Sequence, residues 1–420
     1  MIGQKELFPR DRVTLYDGSK GVLLQEAGLL GQEAAEEWNL SHPGAVRAVY
    51  RSYIEAGSRA IQSNTFPGNT VTLNKHGLGD QAYQLIYEGV RLAWEEAGGR
   101  ALVGASVGPT GEFLEPAGPL AFEDAVRAFT PSLTAAKDAG ADFVAFETFT
   151  DLQELRAAII AEKEARGLPF VASLSFEGGC RTLTGNPAEA CAIVCQSLGA
   201  QLVGANCSGG PDSLIEPIER MYTVASVPLL VKPNAGMPKM ADGKQVYESE
   251  PEDFNRCMGT YMANGVRLMG GCCGSGPLHI KAMDVKLKEE PVPPLRLKPQ
   301  NRICSALSHL NPAESEGETI AVKPFAAGLR SGDWDELLDA LLDGEGDYFL
   351  LDFTGVDGAL PMWDILSNLS ISVRQPLGVK TENPLILRDF LRYYPGRAGV
   401  VIPHRAELKE IVEFYGALEL

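Results

Sequence analysis

The segment Val266–Gly274, VRLMGGCCG, decides the fold because it joins a short apolar run, typical of a buried strand, to a glycine-rich loop with two adjacent cysteines. The same arrangement of a short apolar or β-branched run followed by a polar or glycine-containing loop recurs from residue 13 to about residue 290. The eight predicted strands are Val13–Tyr16, Ala60–Ser63, Leu102–Ser106, Asp142–Glu147, Phe170–Ser175, Leu202–Asn206, Pro228–Lys232 and Val266–Met269.

The segments between these strands have helical periodicity and are each long enough for one crossover helix. Three of the predicted helices stop at a glycine, Gly57, Gly140 or Gly265, the residue that most often ends a helix. A doubly wound open sheet has the same alternation of strand and helix. Eight evenly spaced units without an early GxGxxG motif favour an α/β fold of the (β/α)8 TIM-barrel type.

The alternation breaks near residue 289, where Glu289–Pro294 reads EEPVPP and Pro299 follows. Such a proline-rich segment is stiff and extended. We therefore predict three regions: a barrel over residues 1–290, a linker over 291–300, and a smaller α/β domain over 301–420. The last region shows about three βα units, including a helix at Trp334–Leu342 and a strand at Tyr348–Asp352.

The composition limits the classes of function. The chain has 420 residues, of which 45% are hydrophobic and 22% charged, as in ordinary globular proteins. Its formal charge of -18 disfavours binding to nucleic acid and to anionic membranes. No run approaches the ~20 apolar residues of a membrane span, and the first residues lack the apolar core of a secretion signal. We expect a cytoplasmic protein without a membrane partner.

Polar residues follow most of the predicted strands. In a (β/α)8 barrel the catalytic groups lie at the carboxyl ends of the strands, so these residues should converge on one rim. The segments concerned are Asp17-Gly18, Asn64-Thr65-Phe66, Glu147-Thr148-Phe149, Asn206-Cys207, Pro233-Asn234 and Gly270–Gly274.

Three of the eight cysteines, Cys207, Cys272 and Cys273, fall on this rim. Thiolates are ligands that zinc prefers, and three protein ligands leave a fourth tetrahedral position open for a substrate. A thiol in that position loses its proton and becomes a nucleophile near neutral pH. The alternative is that these cysteines are small buried side chains. We interpret the other five as core residues: Cys180, Cys191, Cys195, Cys257 and Cys304.

Asp17 and Glu147 are the two carboxylates of the predicted rim. They suit a substrate ammonium group, because paired acids attract cations. Capping of the helices that follow them is the alternative role. The five histidines form no cluster with metal-ligand spacing, so a histidine-based metal site is not supported.

Together, these segments resemble the homocysteine S-methyltransferase family over residues 10 to 290. Lys232–Gly236 (KPNAG) and Ser175–Gly185 (SFEGGCRTLTG) extend the likeness. The resemblance implies that the three cysteines are zinc ligands and that Asp17 and Glu147 hold the amino group of homocysteine. It also places Asn64 among the substrate contacts and Asn234 beside the open position of the metal. The chain departs from the family at Lys20, which adds a charge where an apolar residue is usual.

Residues 301–410 resemble the start of the folate-binding barrel of cobalamin-dependent methionine synthases, through Asp333–Leu337 and Tyr348–Asp352. That region is short, and Gly378–Thr381 departs from the family, so we expect a remnant that packs on the barrel or docks a partner. The likeness favours a methyl-corrinoid on a separate protein as the methyl donor. S-methylmethionine, S-adenosylmethionine and betaine are alternative donors, and another thiol is an alternative acceptor. A non-catalytic, zinc-containing subunit that docks a corrinoid or folate partner is the rival hypothesis.

Overall fold

The computed structural model describes residues 7–165, 167–237, 239–241 and 244–420. By their contacts these residues form two compact units. The first contains residues up to 184 and residues 200–298, and the second contains residues 185–199 and 299–420. The second unit thus includes a segment from within the predicted barrel. Within the described residues, no helix has both the length and the apolar character that crossing a membrane requires.

The first unit contains eight parallel strands whose order is β1-β8-β7-β6-β5-β4-β3-β2. The two ends of this order meet, since the Arg59 N–H donates to the Leu15 carbonyl at 2.8 Å. The predicted (β/α)8 barrel is therefore confirmed. From β1 to β8 the strands are Thr14–Leu15, Ala60–Gln62, Leu102–Val107, Phe143–Phe149, Phe170–Leu174, Val203–Cys207, Leu229–Pro233 and Val266–Met269.

Nearly all strand residues of the barrel are buried, because the helices cover the outside and side chains fill the interior. Tyr16, Phe143, Leu230 and Leu268 belong to one such interior cluster. The α-helices of this unit are Lys20–Glu26, Trp38–Ser41, Pro43–Ala56, Thr70–Asn74, Ala82–Ala97, Phe122–Asp138, Leu152–Glu164, Ile215–Tyr222, Pro251–Ala263 and Pro277–Glu289. Short 3-10 helices lie at Ala35–Glu37, Gly79–Gln81 and Pro211–Leu214, and a hairpin is formed by Lys239–Ala241 and Lys244–Val246.

The second unit contains a parallel sheet of five strands in sequential order, β9 to β13. They are Gly317–Ala321, Tyr348–Asp352, Leu377–Lys380, Gly399–Val401 and Leu418–Glu419. Its helices are Ala188–Ser197, Ala326–Ser331, Asp335–Leu342, Met362–Ser372, Pro384–Tyr393 and Ala406–Tyr415. A short antiparallel pair, Ile303–Cys304 with His309–Leu310, precedes the sheet. The predicted tail elements are present, but β9 and β13 were not predicted.

Candidate active site

Three cysteine sulfurs meet at the carboxyl ends of the barrel strands. Cys207 is the last residue of β6, and Cys272 and Cys273 lie in the loop after β8. The Sγ atom of Cys207 is 3.7 Å from that of Cys272 and 3.9 Å from that of Cys273. All three sulfurs lie within 4.8 Å of one another, and no other group of three Cys, His, Asp or Glu with this spacing occurs in the described part of the chain.

The spacing of the sulfurs fits a tetrahedral zinc site. Zinc–sulfur bonds of about 2.3 Å with tetrahedral angles place two sulfurs ~3.8 Å apart. The measured 3.7 and 3.9 Å separations match this value. Three thiolates are also the soft donor set that zinc prefers. The residues present therefore fit the metal that the sequence predicts.

The backbone is strained at the end of β4 and at the end of β6, where Cys207 lies. Thr148, Cys207 and Ser208 have φ angles of 62°, 61° and 65°, in the left-handed region that side chains rarely adopt. Asn206 stabilises this arrangement, since its Oδ1 accepts from the Thr148 N–H at 2.9 Å and from the Ser173 hydroxyl at 2.8 Å. Its Nδ2 donates to the Thr148 hydroxyl at 2.7 Å. Such strain is typical of functional sites.

The loop with the other two cysteines is fixed by the segment after β7. The Cys272 N–H donates to the Pro233 carbonyl at 2.7 Å, and the Cys273 N–H donates to the Asn234 Oδ1 at 3.1 Å. In return, the Ala235 N–H donates to the Cys273 carbonyl at 2.8 Å. Asn234 therefore positions a cysteine through its backbone. The predicted contact of Asn234 with substrate stays a prediction.

Gly274 lets Tyr247 approach the cluster. Its φ of 78° is left-handed, and a Cβ atom there would lie 2.2 Å from the Tyr247 ring. The Tyr247 hydroxyl bonds to Cys273 and helps to lower the pKa of that thiol. Burial and the neighbouring Cys273 together raise the pKa of Tyr247 to about 12. Tyr247 therefore stays a hydrogen-bond donor to the sulfur at neutral pH.

The three thiols favour a thiolate without any metal. A hydrogen bond from Cys207 is the main reason that the pKa of Cys273 falls to about 3. The pKa of Cys207 is raised, chiefly by its hydrogen bonds with Cys272 and Cys273. A lowered pKa at Cys273 suits a metal ligand, because a thiol must lose its proton to bind a metal.

A buried ammonium group lies between the two carboxylates. The Lys232 Nζ is 3.4 Å from Asp17 Oδ1 and 3.4 Å from Glu147 Oε2, and it also donates to Gln62 Oε1. It lies 4.5 Å from the centre of the Tyr16 ring, within cation–π range. Burial alone lowers the pKa of Lys232, but the carboxylates of Glu147 and Asp17 outweigh it and raise the pKa. Lys232 is therefore charged.

The capping role that we considered for the two acids is wrong. Ser19 caps the helix after β1, where its Oγ accepts from the Val22 N–H at 3.4 Å. Asp151 caps Leu152–Glu164, where its Oδ1 accepts from the Gln153 N–H at 2.7 Å. The carboxylates of Asp17 and Glu147 point instead to the interior network around Lys232.

A cavity of about 340 Å³ opens beside the cysteines. The three sulfur-bearing residues line it together with Lys20, Asn64, Glu147 and Lys232. Asp17 is fully buried and lies behind this lining. Asn64 donates both amide hydrogens to the protein, to the Ala35 carbonyl at 2.7 Å and Asn39 Oδ1 at 3.0 Å. Asp17 and Glu147 are both predicted to bind the substrate ammonium group. Of these two acids, Glu147 is thus the one that a bound substrate would contact directly.

Lys20 and Lys232 are the cations of this lining. Lys20 begins the short helix after β1, and its Nζ lies 3.8 Å from Asp17 Oδ2 and 3.4 Å from Gln62 Oε1. From the sequence, Lys232 is predicted only as part of the Lys232–Gly236 segment, and its role between the two carboxylates was missed. The sequence contained a signal for this role, namely the alternation of side chains along β7. Leu230 points into the barrel, and Lys232, two residues later, points the same way.

The other five cysteines are buried, as predicted, and none belongs to the cluster: Cys180, Cys191, Cys195, Cys257 and Cys304. The structure therefore separates cysteines that pack from cysteines that face a cavity. The fold and this site define the class of the protein as a (β/α)8-barrel enzyme with a thiolate cluster at its carboxyl rim.

Residues 14–287 match the homocysteine S-methyltransferase family, and the chain belongs to that family of methyltransferases. The chain is 27% identical over 421 residues to a methionine synthase of Mycobacterium tuberculosis, covering 93% of this chain and 35% of that protein. It is 30% identical over 288 residues to a methionine synthase of Mycobacterium leprae, covering 64% of this chain and 24% of that protein. The chain thus spans about a third or less of the length of these curated relatives.

Among solved structures, the chain is similar in fold to the homocysteine methyltransferase MmuM of Escherichia coli in its metallated form. The TM-score is 0.57 at 21% identity, and the match covers 65% of this chain and 96% of that one. The oxidized form of the same enzyme matches with a TM-score of 0.57 at 22% identity. At this level of identity the likeness supports the barrel fold alone.

Proposed function

We propose that this protein transfers a methyl group to the thiol of homocysteine and so forms methionine, with Cys207, Cys272 and Cys273 holding a zinc ion. The observation that carries the proposal is the group of three sulfurs, spaced for tetrahedral coordination, that opens onto a cavity. Membership of the homocysteine S-methyltransferase family supports the same reaction.

When bound, zinc would supply the Lewis acidity that keeps a substrate thiol deprotonated near neutral pH. The chain's own residues perform the binding and the orientation. Asn206 and Asn234 hold the cysteines in place through the bonds described above. Glu147 lines the cavity and accepts the substrate ammonium, while Lys232 prevents repulsion between Glu147 and Asp17.

The reaction is a nucleophilic displacement. The homocysteine thiol releases its proton to solvent, and the thiolate sulfur attacks the methyl carbon in line. The sulfur–carbon bond forms as the bond from carbon to the donor atom breaks, and the donor leaves with that electron pair. The cavity beside the cysteines would hold the thiol and the methyl group in this geometry.

We further propose that the donor is a methyl-corrinoid on a separate protein. The support is the likeness of residues 301–410 to the second barrel of cobalamin-dependent methionine synthases, and the mycobacterial match that covers 93% of this chain. S-methylmethionine, S-adenosylmethionine and betaine are the alternatives. Assays of purified protein with homocysteine and each donor separate them, and turnover with a free sulfonium compound would count against the corrinoid.

The metal site is tested by removing its ligands. We expect Cys207→Ser and Cys272→Ala each to weaken zinc binding at least ~100-fold, because each thiolate ligand contributes several kcal/mol to zinc binding. Methionine formation should fall to background in both. Cys191→Ala is the matched control, since Cys191 is buried in a helix outside the cluster and should leave zinc content unchanged. Full zinc content and full activity in both site variants would refute the proposal.

The rival hypothesis of a non-catalytic binding subunit makes a different prediction. Such a protein would bind homocysteine in a calorimetric titration but form no methionine with any donor of the panel. Zinc-dependent binding of homocysteine with release of a proton would favour the enzyme, because the incoming thiol must lose its proton. Formation of methionine with any one donor would support the enzyme and exclude the non-catalytic subunit.

A further inference from the structure

Two ammonium groups share one carbonyl oxygen beside the cavity. Lys232 and Lys20 both donate to Gln62 Oε1, the latter at 3.4 Å. The two lysines differ in their other contacts. The ammonium of Lys232 has three acceptors, Gln62, Asp17 and Glu147, which match its three N–H groups. Its hydrogen-bonding capacity is therefore used up.

Lys20 has donors to spare. Its Nζ lies 3.8 Å from Asp17 Oδ2, which is an ion pair without a hydrogen bond, so Gln62 is its one hydrogen-bond acceptor among the described residues. Two of its three N–H groups thus have no partner in that part of the chain. The side chain is 11% exposed and lines the cavity. A partly buried ammonium with free donors at a cavity attracts an anion.

The charges of this wall also favour an incoming anion. Apart from the cysteines, two carboxylates, Asp17 and Glu147, stand against two ammonium groups, Lys20 and Lys232, so these four formal charges balance without a ligand. The two lysines repel each other across the shared oxygen of Gln62. A carboxylate beside Lys20 would relieve this repulsion and use the unpartnered donors.

We propose that Lys20 binds the α-carboxylate of the substrate and thereby selects amino-acid thiols over simple aminothiols. The inference rests on the proposed function and names the group that recognises one end of its substrate. Glu147 receives the ammonium of the same molecule, and the cysteine cluster faces its sulfur. Lys232 is a positioning residue that holds Glu147 and Asp17.

The test compares two thiols that differ only in the carboxylate. Zinc-loaded protein is titrated calorimetrically with L-homocysteine and with 3-aminopropane-1-thiol, which is homocysteine without its carboxyl group. We expect Lys20→Met to weaken homocysteine binding about 10- to 100-fold, the effect of losing a hydrogen bond between charged groups. Binding of 3-aminopropane-1-thiol should change less than about twofold, and Lys20→Arg should keep most of the preference for homocysteine.

Lys75→Met is the matched control. Lys75 belongs to the same unit but is half exposed, lies outside the cavity lining, and pairs with Glu112 at 2.8 Å. The Lys75→Met protein should bind both thiols with the same affinity as the unmodified protein. Zinc content and the melting temperature of each variant show whether the barrel is intact.

Three results would overturn the inference. Equal weakening of both thiols in Lys20→Met would show a structural role. Tighter binding of homocysteine would show that Lys20 competes with the substrate ammonium, and unchanged binding would show no contact at all. If the unmodified, zinc-loaded protein binds neither thiol, the proposed function itself is wrong, and the inference fails with it.

Discussion

The barrel and the five-stranded sheet of the second unit both place a lysine beside an aspartate where their parallel strands end. In the barrel, Lys232 Nζ lies 3.4 Å from Asp17 Oδ1, and in the sheet Lys380 Nζ lies 2.9 Å from Asp352 Oδ2. The lysine side chain is 4% exposed in the barrel but 43% exposed in the sheet. The same type of ion pair is therefore buried in one unit and partly exposed to solvent in the other.

Closure of the strands explains the difference. The barrel closes because β1 meets β2, so side chains at its rim are surrounded by strands on every side. In the second unit β9 and β13 are the two ends of a five-stranded order, and the Lys380 side chain at the carboxyl end of these strands is 43% exposed. Only the closed rim carries a cluster of three metal-ligating groups among the residues that the structure describes. Closure of the strands therefore converts ordinary βα loops into a shielded site.

The largest expected effect comes from removing each lysine in turn. Lys232→Met should destabilise the barrel by about 3–5 kcal/mol, because it removes the ammonium group that lies between two buried carboxylates. Lys380→Met should cost the second unit less than about 1 kcal/mol, the usual value of an exposed pair. Urea unfolding, followed by a probe in each unit, measures both changes.

Lys232→Arg and Lys380→Arg provide the controls, since both keep the charge. Similar losses of stability in Lys232→Met and Lys380→Met would contradict our view that closure makes the barrel pair different.

Two acids should respond to pH in opposite directions. Glu36 is fully buried, and burial raises its pKa to about 7. Neither of its carboxylate oxygens has a hydrogen-bond partner in the described part of the chain. Its unfolded pKa is about 4.3. The folded state therefore holds the proton more tightly, and this carboxyl lowers stability progressively as pH rises from about 4.3 through 7. Glu36→Gln should stabilise the barrel by about 1–3 kcal/mol at pH 8 and by little at pH 4.

Asp352 in the open sheet has the reverse behaviour. Burial alone raises its pKa, but hydrogen bonds from Thr354 and Lys380 outweigh it and lower the pKa. Its contribution to stability is present above the unfolded pKa of about 3.9 and is lost as pH falls through the folded value. Asp352→Asn should therefore cost less than about 1 kcal/mol near neutral pH and nothing in strong acid. Unfolding curves from about pH 2 to 8 cover both titrations, and stabilities that shift in the same direction for both variants would refute this prediction.

The last comparison concerns two asparagines with local roles. Asn206→Ala should weaken zinc binding about 10- to 100-fold, because residues that hold metal ligands in place contribute on that scale. Asn383 instead caps Pro384–Tyr393, where its Oδ1 accepts from the Leu385 N–H at 3.0 Å. Asn383→Ala should cost the second unit about 1 kcal/mol and leave zinc affinity unchanged. Competition with a chromophoric chelator measures the affinities, and equal affinities in both variants would contradict the role of Asn206.

The barrel was predictable because each strand is a short apolar run between helical segments, and all eight runs fall within a few residues of the observed strands. The strand Gly317–Ala321 was not predicted because it has no apolar run. Its residues alternate between exposed and half-buried. Leu418–Glu419 is too short to give a pattern. The pairing of residues 185–199 with the second unit was also invisible, because sequence order says nothing of which neighbours a helix will contact.

The cysteine cluster was predictable because few residue types bind zinc and because strand ends converge in a barrel. The network around Lys232 was not predictable. It depends on side chains from β1, β2, β4 and β7 that meet inside the barrel, namely Asp17 after β1, Gln62, Glu147 and Lys232 itself. Their partners are set by interior packing, which no spacing along the chain encodes.

Asp17 links the charge of the cavity to the closure of the barrel. One of its oxygens faces Lys232, and the other accepts from the Gln62 N–H of β2 at 2.8 Å, next to the point where β1 and β2 meet. The junction between β1 and β2 and the balance of charge at the cavity thus depend on the same carboxylate. A change at Lys20 would alter the charge of the cavity and leave the bond between Asp17 and Gln62 in place, but any change at Asp17 would alter the charge and that bond at once.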